Sequence, residues 1–301
     1  MGLISKKLRN KISVPNKDKK YRPMIRSRHP SHARLRYEME KLPFRSVVRF
    51  GSLTELTDIA SVRGNRVELN SKEAIRNSSS KLRMKKCFYN EKVKTSIWCY
   101  FSGGMLSSPD WVENMSIKEY LDVVEFPIVA KHHFGSRGTG NTLLKSRREV
   151  DAWMIDRKLD NYILEKFVNY NKEYRLHCTK NGCFYSCRKM LKTEFKDHPN
   201  AWQRHDDNSI WILEENESFD KPENWDEIVD HCVRAVTSCG LDFGACDLRV
   251  QNNHNEHGEL REECDFIVIE VNSAPSFGNV TLEKYKEELP KLLKEKYNAS
   301  K

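Results

Sequence analysis

Two segments near the C-terminus place oxygen-bearing side chains at alternate positions of strand-like sequence. One contains Asp247 and Arg249, and the other contains Glu270 and Asn272. Alternate side chains of a strand share a face and neighbouring strands lie about 4.8 Å apart, so pairing of the segments would bring the two carboxylates and the amide together. Such close carboxylates repel each other unless a cation lies between them, and oxygen ligands suit Mg²⁺. The pattern predicts a magnesium site; the alternative is a salt-bridge network in which Asp247 and Glu270 each pair with Arg249.

A second group of residues is typical of phosphate binding. Lys131 ends an apolar, strand-like segment, and the loop after it contains Gly135, Ser136, Arg137, Gly138, Thr139 and Gly140. Glycine permits positive φ and lets backbone N–H groups approach an anion, while the lysine adds a positive charge. The loop is not a P-loop, because no Gly-Lys-Ser/Thr follows, and not a dinucleotide fingerprint, because no helix opens inside it. An ordinary solvent-exposed loop is the alternative.

A third segment, residues 163–168 followed by Glu173, could hold a nucleoside. A connector of this type can present backbone groups to an adenine edge, and a nearby acid can bind ribose hydroxyls. Taken alone, the segment is equally consistent with a buried strand.

The order of these groups along the chain resembles the ATP-grasp superfamily, with residues 269–275 (Ile-Glu-Val-Asn-Ser-Ala-Pro) as its most specific part. The resemblance covers about residues 81–280. It implies an α+β fold in which two lobes hold ATP between antiparallel sheets. More narrowly, the chain resembles bacteriophage-type carboxylate–amine ligases and ribosomal-protein glutamate ligases, since a short first lobe carries the loop Arg49-Phe50-Gly51-Ser52.

The resemblance also implies how the nucleotide is bound. Lys131 and Lys81 would contact phosphates, and Gly135 to Gly140 would close over the γ-phosphate as a lid. The adenine would lie against Glu165, Lys166, Phe167 and Val168. The ribose would lie against Glu173.

The metal and the reacting groups follow from the same resemblance. Asp247, Glu270 and Asn272 would hold two Mg²⁺ ions, with Mn²⁺ as an alternative metal. Arg188 or Lys189 would contact phosphate, the choice depending on strand register. Arg249 and Arg175 would orient an acyl phosphate.

The implied activity is ATP-dependent formation of an amide from a carboxylate and an amine, which could belong to small molecules, peptides or a protein tail. Two alternatives stay open at this stage. The same nucleotide site could serve a kinase that phosphorylates a small molecule. It could also belong to a non-catalytic ATP-binding protein whose basic N-terminal residues bind nucleic acid.

The basic composition of the N-terminal residues and the ATP-grasp resemblance together imply four regions. Residues 1–42 are expected to form a flexible basic arm, and 43–95 a short first lobe. Residues 96–160 are expected to form the central lobe with the glycine lid, and 161–301 the C-terminal lobe with the metal site. Order is expected to begin near Pro43.

Charge and cysteine content limit the remaining classes of protein. Residues 1–50 hold 15 Lys and Arg against three acids, so the net charge of +9 belongs to the N-terminal region, which could engage a polyanionic partner. The nine cysteines include no C-x-x-C pair, which favours reduced thiols over zinc sites or disulfides. No apolar run is long enough to span a membrane. We therefore expect a cytoplasmic protein, in the host cytoplasm if it is viral.

Overall fold

The computed structural model describes residues 19–27, 29–55, 66–135, 138–205 and 207–301. Within these ranges it contains one three-stranded sheet and two five-stranded sheets. The three-stranded sheet is parallel, in the order β1–β2–β3, and belongs to a first lobe. Its strands are β1 (Met24–Ser27), β2 (Ser46–Phe50) and β3 (Val67–Leu69).

Order begins earlier than the sequence suggested. Strand β1 and the short helices α1 (Pro30–Ala33) and α2 (Leu35–Glu38) all precede Pro43. Leu35, Met39 and Leu42 are buried in the core of the first lobe. The expected arm 1–42 is therefore folded over its second half, because these apolar residues pack against strands that follow later in the chain. Residues 1–18 lie outside the described residues.

The central sheet has the order β5–β4–β8–β6–β7, with antiparallel neighbours. Its strands are β4 (Trp98–Ser102), β5 (Met105–Ser107), β6 (Ile128–His132), β7 (Asn141–Leu144) and β8 (Tyr162–Lys166). Helices α5 (Ile117–Val123) and α6 (Arg147–Met154) belong to the same lobe. Ser116 and Ser146 precede them, and the side chains of these two serines cap the first turns. Because β8 pairs with β4 and β6, the central lobe extends past the boundary expected at residue 160.

The third sheet is antiparallel, in the order β11–β10–β9–β12–β13. Its strands are β9 (Lys172–Thr179), β10 (Gly182–Leu191), β11 (Ser209–Leu213), β12 (Phe243–Val250) and β13 (Phe266–Asn272). One face packs on helix α7 (Trp225–Ser238) through apolar residues such as Leu176, Cys246 and Leu248. The opposite face carries charged side chains beside a smaller number of apolar ones.

Three more helices join the lobes. Two of them, α3 (Lys72–Ser79) and α4 (Lys81–Asn90), are separated by Ser80 in an extended conformation. The Ser80 side chain caps α4, so Lys81 becomes the first residue of that helix. Helix α8 (Asn279–Ala299) packs on the first lobe through residues such as Tyr285 and Leu289. No helix of the described ranges is both long and apolar enough to cross a membrane.

Candidate active site

A cavity of about 580 Å³ is bounded by the central and third sheets. The central lobe contributes Lys131 from β6 and residues 165–168 at the end of β8, and α4 contributes Lys81. The third sheet contributes charged residues of β9, β10, β12 and β13. The groups that sequence analysis singled out on separate segments therefore meet in one place.

Strand register arranges the third-sheet residues in rows. One row crosses all five strands and consists of Trp211, Lys189, Glu173, Arg249 and Ile267 as successive cross-strand partners. All of these residues except Trp211 line the cavity. Two cations therefore flank one carboxylate along this row.

The next row, two residues away on four strands and three residues away on β13, consists of Leu213, Cys187, Arg175, Asp247 and Glu270. Arg175 makes a bidentate pair with Asp247, at 2.6 Å from Nε to Oδ1 and 2.8 Å from Nη2 to Oδ2. Asn272, beside this row, donates its Nδ2 amide to Asp247 at 3.0 Å and to Glu270 at 3.4 Å. The three oxygen-bearing residues predicted to converge do so.

A β-bulge adds apolar surface to this charged edge. Asp247 pairs with Glu270 and Leu248 pairs with Val268, so Ile269 is an extra residue in β13. As a result Ile269 and Glu270, although adjacent in sequence, both line the cavity. Ile267 lies on the same side, and Val129 of β6 lines the cavity from the central lobe. These apolar side chains suit the faces of a planar base.

Glu173 lies among three cations. Arg249 is 3.6 Å from its carboxylate, and Lys189 and Arg204 are each 3.9 Å away. Arg204 comes from the loop between β10 and β11. Burial lowers the pKa of Arg204, and its Nε and Nη1 atoms, with Nε of Arg249, are buried without a hydrogen-bond partner. Such a cation-rich, desolvated pocket favours binding of an anion.

The register also decides between Arg188 and Lys189. Lys189 faces the cavity, whereas Arg188 points to the other side of the sheet. There it donates to the carbonyl of Ser218 at 2.8 Å and lies 3.6 Å from Asp220. Of the two alternatives, Arg188 therefore lies away from the cavity and Lys189 at its wall, because successive side chains of a strand point to opposite faces.

Glu165 lines the cavity, and its carboxylate is held by neighbouring lysines. Its side chain is 4% exposed and lies 2.8 Å from Lys131 Nζ, 2.8 Å from Ser96 Oγ and 3.4 Å from Lys85 Nζ. The two lysines hold its pKa at about 2, against the opposing effect of burial. Its carboxylate is therefore engaged by cations, and its main effect is to fix Lys131 at the cavity wall.

Lys85 was missed by sequence analysis. Its side chain is fully buried in α4, and burial lowers its pKa to about 8. Its spacing of four residues from Lys81 places both on one side of the helix, and this was the available signal. Nothing in the sequence indicated that Glu165, on strand β8 of the central sheet, would provide the counter-charge of Lys85.

The connector after β8 lies at the cavity as expected, with Lys166, Phe167 and Val168 among the lining residues. The amides of Lys166 and Phe167 donate to the carbonyls of Ile97 and Pro127 at 2.9 and 3.1 Å. These two N–H groups are thus occupied within the protein. The Phe167 ring, against which the Arg249 guanidinium lies at 5.8 Å, gives the connector an apolar surface.

Part of the glycine loop is described. Lys81 Nζ donates to the Gly135 carbonyl at 2.5 Å, which ties the loop to α4. Gly138 and Gly140 have φ of +76° and +80°, values that favour glycine. A Cβ at Gly138 would overlap the side chain of Gln203, so the loop contacts the β10–β11 loop across the cavity. Thr139 is exposed, whereas Ser136 and Arg137 lie outside the described residues.

The donor set at Asp247 fits a hard divalent cation. It consists of two carboxylates and one amide, at the edge of a cavity rich in cations that suit phosphate oxygens. No described group of three or more His, Cys, Asp or Glu side chains is arranged to hold a metal. A cation bound here would need further oxygen ligands from a phosphate or water.

Comparison with known proteins supports the architecture. No protein-family model matches the chain, and a search of curated proteins finds no match. Among solved structures, D-alanine–D-alanine ligase from Bacillus anthracis complexed with ATP has a TM-score of 0.57 at 12% identity, covering 91% of this chain and 96% of that one. The chain has the ATP-grasp fold.

Two further ATP-grasp neighbours have the same low identity. Carboxyaminoimidazole ribonucleotide synthase from Aspergillus clavatus, complexed with ATP, has a TM-score of 0.55 at 13% identity, covering 83% of this chain and 60% of that one. The ATP-grasp ligase PsnB, complexed with a minimal precursor, has a TM-score of 0.51 at 13% identity, covering 83% and 79%. The expected fold class, α+β with two antiparallel sheets, is thereby confirmed.

Proposed function

We propose that the chain is an ATP- and Mg²⁺-dependent carboxylate–amine ligase that forms an amide through an acyl phosphate. The observation that carries the proposal is the pair of charged rows on the third sheet, facing Lys81 and Lys131 across one cavity. The ATP-grasp neighbours include ligases, among them one complexed with ATP.

In this proposal the cations of both lobes bind the triphosphate. Lys131, fixed by Glu165, and Lys81 approach it from one side, and Lys189 and Arg249 from the other. Asp247, Glu270 and Asn272 would hold Mg²⁺, which would neutralise phosphate charge and orient the γ-phosphoryl group. Glu173 would meet the ribose, and the base would lie against Phe167, Val168, Ile267 and Ile269.

The reaction needs two displacements. An oxygen of the substrate carboxylate attacks the γ-phosphorus, the bond to the bridging oxygen of ADP breaks, and an acyl phosphate forms. The amine nitrogen then attacks the acyl carbon, the bond to the phosphate oxygen breaks, and inorganic phosphate leaves while the nitrogen loses a proton. Arg249 and Arg175 would orient the acyl phosphate, so catalysis here is mainly positioning and charge stabilisation.

We propose more specifically that the chain is a carboxylate–amine ligase of the bacteriophage type. The loop Arg49-Phe50-Gly51-Ser52, on which that resemblance rests, lies against the residues that follow β13, the strand that carries Glu270 and Asn272. A Cβ at Gly51 would lie 3.0 Å from Cβ of Ala274, and Arg49, 1% exposed, donates to the carbonyls of Ser52 and Thr54. This rigid loop supports a substrate site between the first lobe and residues 274–276.

The nine free thiols are consistent with the cytoplasm as the proposed location.

The test is a product search. The protein is incubated with a cell lysate, ATP and Mg²⁺, and mass spectrometry searches for condensation products, alongside a screen of ADP release across amino acids. A ligase yields a new amide and equimolar ADP and phosphate. A kinase would yield a phosphorylated product without free phosphate, and a pure binding protein would yield neither.

A polyanionic partner is proposed only for the N-terminal residues. Residues 24–42 contribute to the core, so a deletion must stop before them. Loss of salt-sensitive binding to RNA or DNA after deletion of residues 1–18 supports such a partner. Unchanged binding, insensitive to salt, contradicts it.

A further inference from the structure

Arg175 already occupies Asp247 with the geometry of a strong ion pair. Both carboxylate oxygens accept from the guanidinium, at 2.6 and 2.8 Å, and one also accepts from Asn272. The side chains of Arg175 and Asp247 are only 15% and 13% exposed. Bidentate pairs of this kind, shielded from water, are stronger than exposed ones.

A divalent cation at Asp247 must therefore compete with this guanidinium. Mg²⁺ binds carboxylate oxygens at about 2.0–2.1 Å, which leaves no room for a guanidinium nitrogen on the same oxygen. Glu270 is also partly compensated, because Lys81 Nζ lies 3.8 Å from it and Asn272 donates to it. The two carboxylates are thus matched by two cations of the protein itself.

The released guanidinium would need another partner. The Arg175 guanidinium carbon lies 4.9 Å from the centroid of the Trp211 ring, which offers it a flat surface. The adjacent row holds Lys189 and Arg249, which repel it, and Glu173, which three cations already share. An incoming anion would compensate its charge, and a triphosphate bound beside these cations is such an anion.

We propose that Arg175 serves as a built-in counter-ion that excludes divalent metal from Asp247 until a nucleoside triphosphate is bound. The inference rests on the proposed function, since it assumes a metal and a nucleotide at this site. Its consequence is positive coupling: nucleotide raises metal affinity by more than chelation by the phosphates alone, and metal raises nucleotide affinity by the same factor.

The experiment measures Mn²⁺ binding by electron paramagnetic resonance, first without nucleotide and then with a non-hydrolysable ATP analogue. Without nucleotide, Arg175→Gln is expected to bind Mn²⁺ at least tenfold more tightly than the wild type. With the analogue, the difference between the two proteins is expected to shrink below threefold. Arg188→Gln is the matched control, because Arg188 pairs with Asp220 on the opposite face of the same sheet, and it is expected to bind Mn²⁺ like the wild type.

Equal Mn²⁺ affinity of the wild type and Arg175→Gln without nucleotide would overturn the inference. If Arg175→Gln does not fold, Arg175→Lys takes its place, since lysine keeps the charge but not the bidentate contact, and at least threefold tighter binding is expected. Asp247→Asn separates the two levels of the argument. Unchanged Mn²⁺ binding by Asp247→Asn in the presence of the analogue would place the metal elsewhere and contradict the proposed site itself.

Discussion

Asp247 and Glu270 lie directly opposite each other on neighbouring antiparallel strands. Asn272, two residues after Glu270, donates to both carboxylates and completes the group. Because β12 is also paired with β9, the positions of these side chains are set by paired strands and not by a flexible loop.

The first prediction concerns this group. Glu270→Gln or Asn272→Ala should lower ATP turnover by about 10²–10³-fold, the usual effect of removing one stabilising group from a phosphoryl-transfer site. The melting temperature should stay close to that of the wild type, because the Glu270 side chain is 31% exposed and its pairing with Lys81 is long. The exposed Glu262→Gln on the loop before β13 is the control. Wild-type ATP consumption by both site variants would contradict the metal assignment.

The second prediction uses two adjacent residues on opposite faces of β10. Lys189→Gln should reduce kcat by a similar 10²–10³-fold because its amine faces the cavity. Arg188→Gln should retain kcat and instead lower the free energy of unfolding, because it removes contacts with Ser218 and Asp220. Steady-state kinetics and urea unfolding of both variants provide the measurement. The reverse pattern would show that the strand register is different.

A third prediction concerns the glycine loop. At Gly135 a Cβ would lie 2.3 Å from the carbonyl oxygen of Thr139, a backbone atom that cannot move aside alone. Gly135→Ala should therefore distort the loop and raise KM for ATP at least tenfold, with little change in melting temperature. Gly278→Ala, where a Cβ meets no atom within 4 Å, is the matched control and should leave KM unchanged. Similar KM values for both variants would exclude the loop from nucleotide binding.

The fourth prediction compares a buried and an exposed glutamate, each paired with lysine. Glu165→Gln leaves Lys85 and Lys131 without their shared carboxylate and should cost about 3–5 kcal/mol of unfolding free energy. Glu125→Gln, whose pair with Lys166 is exposed and screened by water, should leave the free energy of unfolding close to that of the wild type. Urea unfolding at neutral pH distinguishes them, and equal costs would argue against the buried network.

The ionisation of Glu165 also predicts that the stability of the protein depends on pH. The pKa of Glu165 is about 2 in the folded protein and 4.5 in its ordinary state, so its ionised form is favoured by folding. This contribution is fully present above pH 4.5 and is lost as the pH falls towards 2. The stability difference between wild type and Glu165→Gln should therefore narrow over that interval. A constant difference between pH 5 and 3 would contradict the lowered pKa.

The charged core of the site was predictable because it depends on local rules. Alternation along a strand places Asp247 with Arg249 and Glu270 with Asn272, and one assumption, that the two segments pair, brings them together. The choice between Arg188 and Lys189 was not predictable in this way. A shift of one residue exchanges the faces of a strand, and the register depends on pairing with β9 and β11.

Long-range contacts account for what the sequence did not reveal. The role of Glu165 depends on two lysines that lie 34 and 80 residues away along the chain. The basic composition of residues 19–42 obscured Leu35 and Leu42, which are buried only because β2 and α8 pack on them. Residues that are distant in sequence thus decide which ligand a charged cavity prefers. They also decide whether a basic segment is ordered.

The extra residue in β13 places two adjacent side chains of this strand on the cavity wall. With Ile269 inserted, one short stretch offers an apolar contact and an acid to the same ligand, separated by a single peptide unit. Removing Ile269 would restore regular pairing with Glu270 still opposite Asp247 on the cavity face, so the acid would keep its place and only the apolar contact would be lost. The bulge thus adds ligand-facing surface to the strand without displacing the carboxylate beside it.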